Sequence, residues 1–139
     1  MTALVIAIGL TFPGCAHPEN RAPQITTVEV SYDELLNQKS VSRQVSLNAG
    51  DTLGLVLASN ASTGYQWTAE AQITNPGVLT QTGHQTVAPA GATPGAASTE
   101  VWTFDSIKTG LTTLTTTYGQ PWPGGTKDAW TFTAAVTVR

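Results

Sequence analysis

The side chains that could do catalysis or bind a metal are few and scattered in this sequence. Its 139 residues include two histidines, one cysteine and nine acidic residues. His84 is the only histidine after residue 25, so no second imidazole could serve a nucleophilic serine. No His and Cys cluster has the spacing of a metal site. The acidic residues at predicted turns and strand ends, where carboxylates are usually solvated, include Asp51, Glu70, Asp105 and Asp128. We therefore expect neither an enzyme nor a bound metal or other cofactor.

A short polar stretch interrupts an apolar strand pattern and has the composition of a binding loop. It consists of Asn60, Ala61, Ser62, Thr63, Gly64 and Tyr65, called here the first loop. Asn, Ser and Thr side chains bond to nearby backbone groups, and glycine permits positive φ. Shaped loops on rigid β scaffolds are common binding sites. The alternative is an ordinary connection between two strands.

The composition favours a single β-rich domain. A chain of 139 residues is long enough for one domain with a sizeable core. The net charge is -3 and the few cations are scattered, so we expect no nucleic-acid partner. Thr is common while Lys and Glu are rare, which favours strands over helices. One cysteine excludes a disulfide within the chain.

The N-terminal residues resemble a bacterial lipoprotein signal followed by a tether. Residues 3–10 are an apolar run too short to span a bilayer, and Gly14-Cys15 follows. We expect a signal peptide at residues 1–14, and a lipidated Cys15 with a flexible tether over residues 15–24. The lipid would anchor an exported protein in the cell envelope, on a bacterial membrane facing outward or into the periplasm. The alternatives are a free thiol at Cys15 and a buried strand at residues 3–10.

The rest of the chain, residues 25–139, alternates apolar and polar residues as β-strands do. The alternation is clearest in the last strand, whose inward residues are Trp130, Phe132, Ala134, Val136 and Val138. About seven or eight short strands between turns predict an all-β fold, an immunoglobulin-like antiparallel β-sandwich. One helical turn, capped by Asp33, is expected over residues 33–37.

Aromatic residues are expected in the core of this sandwich. The four predicted to face inward are Trp102, Phe104, Trp130 and Phe132. At least one of Tyr65 and Trp67, at the start of a strand predicted over residues 65–73, is expected to join them.

Three motifs in the same order resemble the chagasin family of cysteine peptidase inhibitors. The first loop, N-A-S-T-G-Y, is similar to the N-P-T-T-G-Y/F loop of that family. The second loop, Gly95, Ala96, Ala97 and Ser98, stands where the family has G-x-G-G before a strand. The third loop, Gln120, Pro121 and Trp122, stands where the family has R-P-W before the last strand. The order and spacing match from about residue 25 to the end.

The resemblance implies an immunoglobulin-like sandwich that inhibits papain-like cysteine peptidases reversibly, competitively and without a covalent bond. It implies that the three loops form a wedge in the active-site cleft, with Ser62 and Thr63 nearest the catalytic thiol. Trp122 would pack on the rim of the cleft. The expected partner is therefore a papain-like peptidase, bound by a monomer.

This sequence departs from the family motifs at four positions. Ala61 in place of Pro leaves the first loop more flexible when unbound. Gln120 in place of Arg removes a cation that could pair with the target or brace the third loop. Ala97 and Ser98 replace two glycines of the second loop. We expect a preserved fold and an inhibition that is weaker or retargeted.

Two other functions fit the same sequence. One is a cell-envelope lipoprotein whose loops bind a carbohydrate or a protein other than a peptidase, and the other is a structural envelope domain without a ligand. Convergence of the three loops at one end, with Trp122 exposed, would support the wedge. A buried Trp122, or loops at opposite ends, would support the structural domain.

Overall fold

Nine β-strands and one short helix make up the part of the chain that the computed structural model describes, residues 21–60, 63–88 and 97–139. The strands are β1 (Ile25–Val30), β2 (Ser40–Leu47), β3 (Thr52–Ser59), β4 (Gln66–Trp67), β5 (Gln72–Ile73), β6 (Leu79–Val87), β7 (Ser98–Ser106), β8 (Gly110–Gly119) and β9 (Trp130–Val138). The helix, α1, spans Tyr32–Asn37. Among the described residues, no helix has the length and apolar character that crossing a membrane requires.

The strands form two sheets that pack as a sandwich, which confirms the all-β fold class. The first sheet has the order β1-β3-β7-β6, and the second has the order β2-β9-β8-β4, with β5 also paired to β8. We expected only antiparallel pairing. The structure also has two parallel pairs, since β1 is parallel to β3 and β2 is parallel to β9. Parallel neighbours need a crossover. Here the chain leaves β1 through α1 and forms β2 in the other sheet before it returns as β3.

The core forms between the inner faces of the two sheets, where the alternation of apolar residues predicted it. Trp102, Phe104 and Phe132 are at most 1% exposed. Trp130 is half-buried and packs against this core. Trp67 is also buried, so one of the two aromatics at the start of the predicted 65–73 strand lies in the core, as expected.

Two local predictions differ from the structure. Ser31, not Asp33, caps α1, because its hydroxyl accepts a hydrogen bond from the Glu34 amide at 3.2 Å. The strand predicted over residues 65–73 is split into β4 and β5. Between them the Ala69 carbonyl turns toward the first sheet, where it accepts bonds from Gln81 Nε2 at 2.8 Å and from the Trp102 indole at 3.1 Å.

Asp51 is buried, although the sequence predicted a solvated carboxylate. Its oxygens accept hydrogen bonds from the amides of Asn48 at 3.0 Å and Gln24 at 3.1 Å, and Arg21 lies 3.3 Å away. These two backbone bonds, helped by the Arg21 charge, hold the pKa of Asp51 below its usual value although burial opposes them. Asp51 thus ties the β2–β3 turn to the segment before β1.

The lowered pKa of Asp51 predicts acid-sensitive stability. The stabilisation is present above about pH 4 and is lost as the pH falls through the lower folded-state pKa. We expect Asp51→Asn to reduce the free energy of unfolding by about 2 kcal/mol at pH 7, and by less at pH 3. Urea unfolding at both pH values measures this. Asp105→Asn, at an exposed position, is the matched control. Equal stability of Asp51→Asn and the wild type at pH 7 would contradict the argument.

Candidate functional site

The strand pairing brings the ends of the three predicted loops to one end of the sandwich. Ser59, the last residue of β3 and the start of the first connection, pairs with Ser98, the first residue of β7. Their hydroxyl oxygens are 3.1 Å apart. Gln66, in the strand after the first loop, pairs with Gly119, which precedes the third loop. Ser98 is thus paired with the strand before the first loop, and Gly119 is paired with the strand after it.

Thr63 shapes the described part of the first loop. Its amide and its hydroxyl both donate to the Asn60 carbonyl, at 3.2 and 2.7 Å. The Tyr65 amide donates to the same hydroxyl at 3.4 Å. Gly64 follows with φ +80°, a conformation that favours glycine. Ala61 and Ser62 lie outside the described residues, so their predicted place at the tip is not described.

Trp122 of the third loop rests on Gly64 of the first. A methyl group added to Gly64 would lie 2.5 Å from Cη2 of the indole, closer than real Cβ atoms approach. Trp122 nevertheless remains 46% exposed. The structure thus joins two of the predicted loops in one surface and leaves a large aromatic ring accessible there. The sequence predicted that all three loops converge with Trp122 exposed, and this contact concerns the first and third loops only.

Hydrogen bonds to the following segment, residues 123–129, brace the third loop. The Gln120 amide donates to the Thr126 carbonyl at 2.7 Å, and Gln120 Oε1 accepts from the Thr126 amide at 2.9 Å. The Lys127 ammonium donates to the carbonyls of Gln120 and Trp122, the latter at 2.9 Å. The sequence predicted that Gln120 in place of Arg removes a cation that could pair with the target or brace the third loop. The structure supplies one from Lys127, a residue that the motif comparison did not single out.

The described residues of the second loop, Ala97 and Ser98, lie beside the first loop. Ala97 is exposed, and Ser98 begins β7 half-buried against Ser59. Gly95 and Ala96 lie outside the described residues. The described part of this loop therefore presents only small side chains beside the first loop.

A buried carboxylate, missed by the sequence argument, fastens the strands that follow the first two loops. Glu100 on β7 is 4% exposed, and its Oε2 accepts a hydrogen bond from the Trp67 amide at 3.1 Å. Its Oε1 lies 3.0 Å from Nε2 of His84 on β6. The lone histidine of the domain is thus part of a structural contact. The only sign of this contact in the sequence is that Glu100 falls on the same face of β7 as the inward residues Trp102 and Phe104.

A family model described as "Chagasin family peptidase inhibitor I42" matches residues 46–136, a range that includes all three loops. The chain belongs to the chagasin family. This family consists of peptidase inhibitors, so the expectation that the protein is not an enzyme is confirmed. No curated protein matches the chain.

Three solved structures share the fold of this chain. The cysteine protease inhibitor EhICP2 from Entamoeba histolytica is 22% identical, with a TM-score of 0.61 over 86% of this chain and 99% of that one. PbICP-C, solved in complex with falcipain-2, is 21% identical, with a TM-score of 0.61 over 81% and 98%. Amebosin, solved in solution, is 21% identical, with a TM-score of 0.53 over 86% and 100%. At this identity the likenesses show the fold.

The contact between Trp122 and Gly64 predicts that a methyl group added at Gly64 reduces the stability of the protein. Gly64→Ala should lower the free energy of unfolding through the strain of positive φ and through displacement of the indole. Gly50→Ala is the matched control, because Gly50 has φ +92° and nothing within 4 Å of the added methyl. We expect Gly64→Ala to cost about 1 kcal/mol more than Gly50→Ala in urea unfolding.

The same pair of substitutions in a Trp122→Ala background isolates the contact. Without the indole, the two alanine substitutions should cost similar amounts, since only backbone strain remains. If Gly64→Ala costs no more than Gly50→Ala while Trp122 is present, the indole does not rest on Gly64 in solution.

Proposed function

We propose that this chagasin family member inhibits papain-like cysteine peptidases reversibly, competitively and without a covalent bond, its three loops filling the active-site cleft as a wedge. The observation that carries the proposal is the exposed Trp122 seated on Gly64 where the loops meet. Two proteins of the same fold support the choice of target class. EhICP2 is a cysteine protease inhibitor, and PbICP-C forms a complex with falcipain-2.

The first loop has the side chains that a narrow cleft requires. Thr63 is exposed and Gly64 has no side chain, so this part of the edge is slim. The Thr63 hydroxyl is engaged with the Asn60 carbonyl and orders its own loop. In this proposal Ser62 and Thr63 approach the catalytic thiol and obstruct it, and no peptide bond of the loop is cleaved.

Trp122 would supply the largest single contact at the rim of the cleft. Exposed aromatic rings held in one orientation are typical interface anchors, because little freedom is lost when they bind. Contact with Gly64 and the bonds from Lys127 to the loop carbonyls hold this ring before a peptidase arrives. The second loop, with the small residues Ala97 and Ser98, would contact the other side of the cleft through its backbone.

Inhibition of a papain-like peptidase by the purified protein tests the proposal. The wild type should raise the apparent KM for a small fluorogenic substrate without changing kcat. Trp122→Ala should raise the inhibition constant at least about 30-fold, as expected for an interface anchor worth about 2 kcal/mol. Thr63→Arg should abolish inhibition, because a long charged side chain cannot enter the cleft. Leu111→Ala is the control, since Leu111 is 71% exposed at the far end of β8.

Three results would count against the wedge. If the folded wild type inhibits none of several papain-like peptidases, the loops have another target, and the carbohydrate or non-peptidase binding module becomes the better hypothesis. If inhibition persists in both loop variants, another surface is responsible. If it falls equally in Leu111→Ala, the loss reflects the whole protein and not the loops.

We also propose that the inhibitor is exported and held at a bacterial membrane. In this proposal residues 1–14 are a signal peptide, residues 15–24 are a tether with lipid on Cys15, and residues 25–139 are the inhibitor domain. Support comes only from the sequence pattern, since Cys15 lies outside the described residues. A bacterium expressing the full chain should incorporate labelled fatty acid into the wild type and not into Cys15→Ser. Equal labelling, or none in either, would contradict the lipid anchor.

A further inference from the structure

Tyr118 lies beneath the first loop and contacts both of its ends. It is the penultimate residue of β8 and is 4% exposed. Its phenol oxygen accepts a hydrogen bond from the Asn60 amide at 2.9 Å, where the first loop begins. Its ring stacks on Tyr65, where the loop ends, with the centroids 5.5 Å apart and the planes at 24°. One side chain therefore spans the base of the loop.

The Tyr118 ring is itself held in place by a column of aromatic side chains. Trp130 stacks on it at 4.7 Å and 10°, and Trp67 lies at 5.0 Å. At the far end of the column, the Tyr32 ring meets Trp130 edge-on at 5.5 Å. Rings packed in this way have little freedom, so the phenol oxygen is a fixed point relative to the sandwich.

We propose that Tyr118 is the residue that positions the first loop for binding. The hydroxyl fixes the start of the loop at Asn60, and the ring fixes its end at Tyr65. A loop held at both ends loses less conformational freedom when it enters a cleft. With Ala61 in place of Pro, the first loop is expected to be more flexible when unbound, and Tyr118 supplies order from outside the loop. The inference rests on the proposed function, because binding is what the ordered loop serves.

The phenol stays in the protonation state that this role needs. Burial raises the pKa of Tyr118, although the Asn60 amide and the Thr63 hydroxyl act in the opposite direction. The group is therefore neutral at physiological pH and can accept from Asn60 while retaining its own proton. A buried tyrosine hydroxyl normally finds such a partner, and here the partner belongs to the candidate site.

Replacement of Tyr118 by Phe removes the hydroxyl and keeps the ring. Tyr32→Phe is the matched control, because it makes the same change at the other end of the aromatic column. Both variants of the full chain are expected to fold, which circular dichroism verifies. We expect hydrogen exchange of the Asn60 amide to be about tenfold faster in Tyr118→Phe than in the wild type, and unchanged in Tyr32→Phe.

The inhibition constant separates a positioning role from a structural one. Measured on folded protein with a papain-like peptidase, it should rise about five- to tenfold in Tyr118→Phe and stay unchanged in Tyr32→Phe. A loss of global stability alone would not change it. Faster exchange at Asn60 with an unchanged inhibition constant would overturn the proposal.

The wild type provides a test that does not depend on any variant. If its Asn60 amide exchanges as fast as an exposed amide, the bond to Tyr118 does not hold the loop, and the proposal is wrong. If the wild type inhibits no papain-like peptidase, the proposed function fails, and the exchange rates alone decide whether Tyr118 orders the first loop.

Discussion

The buried carboxylate of Glu100 is the interaction on which the loop end of this protein depends. It stands on β7 in the first sheet and accepts a hydrogen bond from the amide of Trp67 on β4 in the second sheet, so it joins the two sheets. A buried carboxylate needs hydrogen-bond partners. The second oxygen of Glu100 has one in His84, whose Nε2 lies 3.0 Å away. Because β4 follows the first loop and β7 follows the second, the same carboxylate joins the strands that follow those two loops.

The candidate site combines a rigid base with a slim edge. Beneath the loops, Trp130 packs against the core and stacks on the buried Tyr118, so both rings have little freedom. At the edge, Thr63 and Ala97 are exposed and small, and Trp122 is an exposed aromatic ring beside them. Such a division suits insertion into a cleft. Ordering takes place on folding, and association then costs less conformational entropy.

The third loop shows how a motif can change while its support remains. Where the family has Arg, this chain has Gln120, whose side chain bonds to the Thr126 amide. The ammonium of Lys127 then binds two carbonyls of the same loop. The cation that braces the loop therefore comes from beyond the motif.

The sequence by itself determined the sandwich, its inward aromatics and the chain order of the three loop motifs. Alternation along a strand such as Trp130–Val138 is a local property, and the motifs stand in chain order, so neither needs tertiary information. Only the tertiary structure decided the parallel pairing of β2 with β9 and the division of residues 65–73 into two strands. Both the parallel pairing and the division of residues 65–73 depend on which strand, distant in sequence, lies next to the segment.

The same reason explains the contacts that escaped prediction. Glu100 and Trp67 are 33 residues apart, and Tyr118 and Asn60 are 58 apart. Asp51, which was expected in solvent, is buried and accepts hydrogen bonds from the amides of Asn48 and Gln24. A carboxylate or phenol in a sequence carries no sign of which backbone amide will face it. That depends on the register between strands, which packing of the whole core selects.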